Sequence, residues 1–516
     1  MPRLKLSGAA LACLALQAAA PQANAQQCEA LLQLALPDVR IDAATAIAVG
    51  GWQADAARAS TSPDALPGGV AVNTPFCRIE GTLEKEIGFE LWLPNAGRWN
   101  GKLLGAGVGG DAGAFNLRDL PRGVARGYAA ATTDTGHKVG DRLWMLGDPV
   151  RLANYTHRAN HLLALAAKAI VASYYRKPAR HAYFIGCSGG GRQALKEMQM
   201  YPDDYDGIVA GAPGPRTDLM TARRMWEIVQ HRNAPGLMSD ADWQLVAEHG
   251  ARRCDRQDGV ADGVAENPQA CRLDAASLLC KPGQASACLN QTQLDLVQRI
   301  YAPLRDEQGR QLDDGLLPGV RIKPLPESRL APATFGQAVH RDPDWNSAGF
   351  SLARDLPGIA GVMPELAADR ADLAAFRARG GKAIVYQGWL DPAVPAQMVS
   401  AYGARVQQAM GGADAAGQFF RLFMAPGVFH CGGGPGPDQF GGAGADAPVP
   451  DAAHDMLSAL EAWVEQGRAP EVIIASKVEQ GKVVRTRPLC PYPQAAHYRG
   501  SGSTDNAASF YCAAQR

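Results

Sequence analysis

The sequence predicts an α/β fold, a mostly parallel sheet covered by helices on both faces and interrupted by an inserted domain. Three observations predict it. Compact apolar runs closed by Gly or Pro, among them "HAYFIG", "DGIVAGAP" and "GKAIVYQGW", have the composition of fully buried strands. Between them, "ANHLLALAAKAIVASYY" and "GRQALKEMQMY" carry apolar residues at helical spacing, and strands alternating with helices build parallel sheets buried on both sides. The rhythm then fails from about Pro215 to Arg370, where four cysteines, an acidic loop and the Pro-rich "LLPGVRIKPLPESRLAP" replace it. A chain of 516 residues has room for such an insertion, because single cores stop growing well below that length.

Taken in order, the first 25 residues read as an export signal. Arg3 and Lys5 precede the apolar "GAALACLALQAAA", which is too short to span a bilayer, and Ala23-Asn24-Ala25 supplies a cleavage site. The expected organisation is a signal peptide at 1–25, a catalytic domain from 26–214 and 371–516, and an inserted lid domain at 215–370. "IEGTLEKEIGFELWL" alternates as half-buried strands do, and "GYAAATTDTGH" reads as a short buried strand entering a loop. Beyond the insert, the glycine cluster "HCGGGPGPDQFGGAGADAP" is a loop, since helical spacing resumes in "HDMLSALEAWVEQG".

Charge excludes several classes of partner. Lys+Arg and Asp+Glu are both 51, so no basic excess points to nucleic acid or to an anionic membrane surface. Of 11 cysteines, Cys13 leaves with the signal. An even number remains, and in an exported chain, periplasmic or secreted, this argues for disulfides whose pairing spacing alone does not determine.

Gly186-Cys187-Ser188-Gly189-Gly190 fits G-x-S-x-G at a strand-to-helix junction, the setting of a nucleophile elbow. The acid and base then follow in chain order. Asp391 in "GWLDPAVP" and His430 in "FRLFMAPGVFHCGG" each lie just after a predicted strand, where sheet-edge loops deliver catalytic groups. Singly, Asp391 reads equally well as a helix N-cap and His430 as a packed loop histidine. The cysteines distinguish the readings: Cys187 precedes the serine and Cys431 follows the histidine, so one bridge would join the two reactive loops. For the oxyanion of an ester intermediate, Gly189 N–H is one expected donor, and Gly110 in "KLLGAGVGGDAGAF" the other, with Gly109 as the near alternative.

The motifs "GCSGGGRQAL", "YPDDYDGIVAGAP", "GWLDPAVP", "FRLFMAPGVFHCGGGPGPDQF" and "RTRPLCPYPQAAHYRGSGSTDNAASFYC" together resemble the tannase and feruloyl esterase family, exported α/β-hydrolases that include mono(2-hydroxyethyl) terephthalate hydrolase. The resemblance spans nearly the whole mature chain. It implies an α/β-hydrolase fold with an inserted lid domain, and disulfides Cys187–Cys431, Cys28–Cys77, Cys254–Cys271, Cys280–Cys288 and Cys490–Cys512. Family members often carry Asn where this chain has Val108.

In "CDRQDGVADGVAENPQAC", Asp255, Asp258 and Asp262 alternate with glycines, a pattern shared by calcium loops and solvated turns but not by EF-hands. The resemblance implies structural calcium here, held by the Asp255, Asp258 and Asp262 side chains and the Val260 and Val264 carbonyls. It further implies that lid residues recognise the acid half of a small aromatic ester. Trp345, Phe335, Phe350 and Arg341 are of suitable type, and equally of the type that fills a lid core. The expected activity is serine ester hydrolysis of the feruloyl esterase kind. Tannase-type gallate cleavage and terephthalate half-ester hydrolysis are the near alternatives, and a non-catalytic binding protein the distant one.

Overall fold

The computed structural model describes residues 25–52, 72–322 and 330–515. The expected signal peptide lies outside these residues except for Ala25, as does 323–329 of the Pro-rich stretch. Nine strands form one sheet: β1 (Val39–Ile47), β2 (Phe76–Leu83), β3 (Ile87–Pro94), β4 (Lys102–Ala106), β5 (Ala129–Thr133), β6 (His181–Cys187), β7 (Gly207–Gly211), β8 (Lys382–Gly388) and β9 (Phe420–Ala425). Their order is β1-β2-β3-β5-β4-β6-β7-β8-β9. β1, β2, β3 and β5 pair antiparallel, and every pairing from β5 through β4 to β9 is parallel.

Why these runs form a two-sided sheet is visible in alternate residues. Phe184, Ile208, Ala383, Val385 and Leu422 face one core, with helices Ala159–Tyr175, Gly189–Met200 and Ala396–Ala409 packed over it. Their neighbours Tyr183, Ile185, Val209, Ile384 and Phe423 face the opposite core under helix Met456–Gln466. Each large apolar side chain so buried contributes about 1.5–3 kcal/mol, which fixes the strand register against a one-residue slip.

Between β7 and β8 the chain leaves the sheet, and no strand occurs among the described residues there. Helices Thr217–Asn233, Asp240–Asp255, Gln291–Tyr301 and Leu352–Val362 carry this insert. Two start on reciprocal caps, Ser239 with Asp242 and Asn290 with Gln293, which satisfy backbone N–H groups left open at a helix start. Leu219, Ala222, Met225, Phe335, Leu352 and Ile359 of the insert share one apolar cluster with Val108, Ala112 and Tyr155 of the sheet domain. The insert therefore sits on the loop that follows β4.

After β9 come two hairpins, β10 (Ile473–Glu479) with β11 (Lys482–Leu489), and β12 (Gln494–Tyr498) with β13 (Phe510–Ala514). All five disulfides implied by the resemblance are present: Cys28–Cys77, Cys187–Cys431, Cys254–Cys271, Cys280–Cys288 and Cys490–Cys512. Among the described residues no helix is long and apolar enough to cross a membrane.

Candidate active site

Ser188 stands between the end of β6 and the first turn of helix Gly189–Met200, with φ 59° and ψ −122°. A non-glycine residue at positive φ costs on the order of 1–3 kcal/mol, and the surroundings hold it there. Its N–H donates to the Gly211 carbonyl at 2.9 Å, and its carbonyl accepts the Arg192 N–H at 2.9 Å. The flanking glycines are required by backbone contact. A Cβ at Gly186 would lie 2.5 Å from the Gly190 carbonyl carbon, and one at Gly190 would lie 2.8 Å from that of Gly107.

Asp391 follows β8 and is buried, yet its carboxylate accepts four donors. Oδ1 takes the N–H groups of Ala393 (2.7 Å) and Val394 (2.9 Å), and Oδ2 takes Gln387 Nε2 (3.0 Å) and His430 Nδ1 (2.8 Å). The next helix starts at Ala396, so Asp391 holds a turn and is not that helix's cap. A carboxylate only accepts, so the Asp391 contact requires the proton on Nδ1, and in the neutral ring the lone pair is then on Nε2. His430 is half-buried in the loop after β9, and Cys431 beside it adopts φ 63°. The Cys187–Cys431 bridge, with Cα atoms 6.0 Å apart, joins that loop to the residue before Ser188.

The glycine loop after β4 lies against the start of the Ser188 helix. A Cβ on Gly189 would lie 2.9 Å from the Gly110 carbonyl and 3.0 Å from that of Val108. Gln193 grips Val108 by both backbone groups, Val108 N–H donating to Oε1 at 3.0 Å and Nε2 donating to the carbonyl at 3.1 Å. The Val108 N–H is thereby engaged, and among the described residues the N–H groups of Gly109 and Gly110 have no protein acceptor. Beneath the loop, His137 stacks on Trp144 with centroids 3.8 Å apart, and burial lowers its pKa to about 4.

Neither Gln193 nor Gln387 stood out in the sequence. Gln193 lies inside "GCSGGGRQAL", five residues after the serine, and that position was its available signal.

The aromatic candidates of the insert divide. Phe335 is fully buried, packed edge-on to Phe350 at 4.8 Å and near Trp345 at 6.3 Å, so it belongs to the insert's core. Trp345 stacks on His340 instead. Arg341 follows that histidine with φ 56°.

In the acidic loop, Asp255 Oδ1 accepts the N–H groups of Asp262, Gly263 and Val264. Asp258 accepts those of Val260 and Glu266, while Asp262 pairs with Arg487 of β11. Arg487 also meets Glu266 at 2.9 Å. Burial raises the pKa of Asp258, with Asp262 and Asp255 adding to it, and burial raises Glu266 to about 8. As these side chains stand, no three His, Cys, Asp or Glu groups converge on one point among the described residues. In donor chemistry the loop fits a hard cation, because Asp255, Asp258, Asp262 and Glu266 lie together while the one buried guanidinium, that of Arg487, meets only Asp262 and Glu266.

A nine-stranded sheet with Ser188 on a strand-to-helix turn and Asp391 bonded to His430 on its loops is the architecture of a carboxylesterase of the α/β-hydrolase type, and known proteins agree. The sequence pattern of the tannase and feruloyl esterase family matches residues 70–322 and 334–513. The chain belongs to this family. It is 36% identical to an uncharacterized esterase of Xanthomonas campestris pv. campestris, over 94% of this chain and 91% of that one. It is 31% identical to the mono(2-hydroxyethyl) terephthalate hydrolase of Piscinibacter sakaiensis, over 96% and 92%. The crystal structure of feruloyl esterase B from Aspergillus oryzae superposes with a TM-score of 0.87 at 25% identity, covering 95% of this chain and 100% of that one.

Proposed function

We propose that the chain is an exported serine esterase that hydrolyses esters of aromatic, hydroxycinnamic or phenolic acids through an acyl-enzyme on Ser188. The observation that carries this is the Asp391–His430 hydrogen bond at 2.8 Å, on a loop bridged by Cys187–Cys431 to the strained serine turn. His430 Nε2 takes the Ser188 proton as Oγ attacks the ester carbonyl, and Asp391 stabilises the imidazolium. His430 then protonates the departing alcohol, and water, activated the same way, releases the acid. Gly189 N–H and one glycine of the β4 loop, Gly110 with Gly109 as alternative, donate to the oxyanion. The 215–370 insert acts as the lid, supported by its packing on that loop.

Calcium in the acidic loop belongs to the same reading as a structural ion. The carboxylates of Asp255, Asp258 and Asp262 with the Val260 and Val264 carbonyls would hold it, supported by the excess of carboxylates over cations there. Export is supported by the leader pattern and by the pairing of all ten remaining cysteines.

The test is kcat/KM on methyl ferulate, methyl gallate and mono(2-hydroxyethyl) terephthalate, with Ser188→Ala as blank. A preference of tenfold or more, about 1.4 kcal/mol of transition-state discrimination, names the acyl group. The ferulate ester is the expected winner, and the identity with the terephthalate hydrolase makes its substrate the second reading. Activity surviving in Ser188→Ala refutes the mechanism.

A further inference from the structure

We propose that Gln193 is a positioning residue that sets the second oxyanion donor, an inference resting on the Ser188 mechanism above. Its side chain is almost fully buried, and its amide pairs with both backbone groups of Val108, as one strand residue pairs with another across an antiparallel ladder. The geometry matters because of where each end is anchored. Gln193 stands on the helix whose first N–H, that of Gly189, is the first donor. Val108 immediately precedes Gly109 and Gly110, the candidates for the second. One side chain therefore fixes the separation of the two donors.

Neighbouring contacts tighten the same loop. Gly107 N–H donates to the Ile185 carbonyl at 2.8 Å, and its own carbonyl accepts Asn116 Nδ2 at 2.8 Å. Tyr155 O–H approaches the Gly110 carbonyl at 3.4 Å. Tyr155 lies in a π-helical turn, Asn154–Arg158, where a wider winding loosens backbone pairing, and Arg192 fills the need. Its Nη1 donates to the Thr156 carbonyl at 2.8 Å and its Nη2 to that of Tyr155 at 3.1 Å. Consecutive residues of the serine helix thus hold the glycine loop, Gln193 directly and Arg192 through Tyr155. Preorganised donors are effective because they need no reorganisation when charge develops, so a loop free to drift forfeits part of that effect.

The experiment compares Gln193→Met, which removes both hydrogen bonds at similar volume, and Gln193→Glu, which keeps the acceptor for Val108 N–H but loses the donor to its carbonyl. Tyr155→Phe, which deletes one hydroxyl, is the variant least able to disturb folding. Active sites are titrated with a fluorophosphonate, and kcat and KM are measured per titrated site on methyl ferulate. Inhibition is measured with a trifluoromethyl ketone, whose serine adduct carries an oxyanion, and with the free product acid, which forms none. Expected for Gln193→Met is a kcat lower by about 10–100-fold with KM within about twofold, a parallel loss of ketone affinity and unchanged acid affinity. Gln193→Glu falls in the same direction, and Tyr155→Phe by a few-fold. If kcat per titrated site and ketone affinity stay within twofold of the parent while melting temperature falls, Gln193 only stabilises the fold and the proposal is overturned. If Tyr155→Phe loses ketone affinity no more than acid affinity, the contribution of Tyr155 is overturned. Ser188→Ala run beside them separates the cases, since activity there removes the mechanism itself.

Discussion

Replacing Asp391 by asparagine preserves shape but removes a charge and an acceptor, and the structure dictates how the site responds. The native carboxylate divides its work, one oxygen holding the Ala393 and Val394 N–H groups and the other Gln387 and His430. An amide has one oxygen. Two backbone donors in a fixed turn claim it, so the new NH2 faces Gln387 and His430. Gln387 has no such freedom, because its Nε2 also donates to the Gly388 and Val394 carbonyls, so its amide N–H and that of the new asparagine face each other. His430 accommodates by changing tautomer: Nδ1 accepts, Nε2 carries the proton, and the ring can no longer take one from Ser188. In Ser–His–Asp sites that change lowers kcat by roughly 10⁴, about 5.4 kcal/mol of barrier. The assay is kcat and KM for Asp391→Asn on methyl ferulate beside urea unfolding of the same protein. The expected result is a collapse of kcat with KM within about twofold and a stability loss of about 1–3 kcal/mol, because a buried donor is left facing another. A kcat within tenfold of the parent would refute the assignment of Asp391.

Other perturbations follow from the same geometry. Cys187→Ala with Cys431→Ala opens a loop of 244 residues, against 8 for Cys280→Ala with Cys288→Ala. The chain-entropy argument gives losses of about 5.5 and about 2.5 kcal/mol, to be compared by urea unfolding, and equal losses would contradict it. A folded-state pKa of about 4 for His137, against an ordinary value of 6.5, means the unfolded chain binds this proton first. Its contribution is therefore complete above pH 6.5 and lost as pH falls to 4, up to about 3 kcal/mol; His137→Phe should flatten that part of the stability–pH curve. Calcium at a hundredfold excess over its dissociation constant should add about 2.7 kcal/mol, read as a higher Tm that chelation abolishes with kcat unchanged. An unaltered Tm after exhaustive chelation would remove the metal from the proposal.

Much of the fold was legible because local patterns carried it. Buried strands such as "HAYFIG" and amphipathic helices such as "GRQALKEMQMY" announce themselves by spacing, and the failure of that rhythm marked the insert. G-x-S-x-G is legible for a steric reason, now seen as Gly190 in backbone contact with Gly107. Less local facts were not legible. The placement of β5 between β3 and β4 depends on packing of whole strands, and the pairing of cysteines needed a family resemblance where spacing was silent. The Gln193 clamp joins residues 85 positions apart and leaves no periodicity. Likewise nothing in the sequence singles out Arg487, which lies buried against the acidic loop.

Four of the disulfides join cysteines adjacent in chain order, whereas Cys187–Cys431 passes over Cys254, Cys271, Cys280 and Cys288 to reach its partner. A chain oxidised as it emerges from its N-terminus presents Cys187 while Cys431 is still to come, with Cys254 the first new thiol to appear. Sequential pairing would consume the wrong partner. The bond beside Ser188 is thus the one whose formation demands waiting or reshuffling, the kind of exchange a disulfide isomerase catalyses. On the proposed mechanism esterase activity becomes a late event in the life of the molecule, and its onset reports that Cys187 has reached Cys431 past the four cysteines between them.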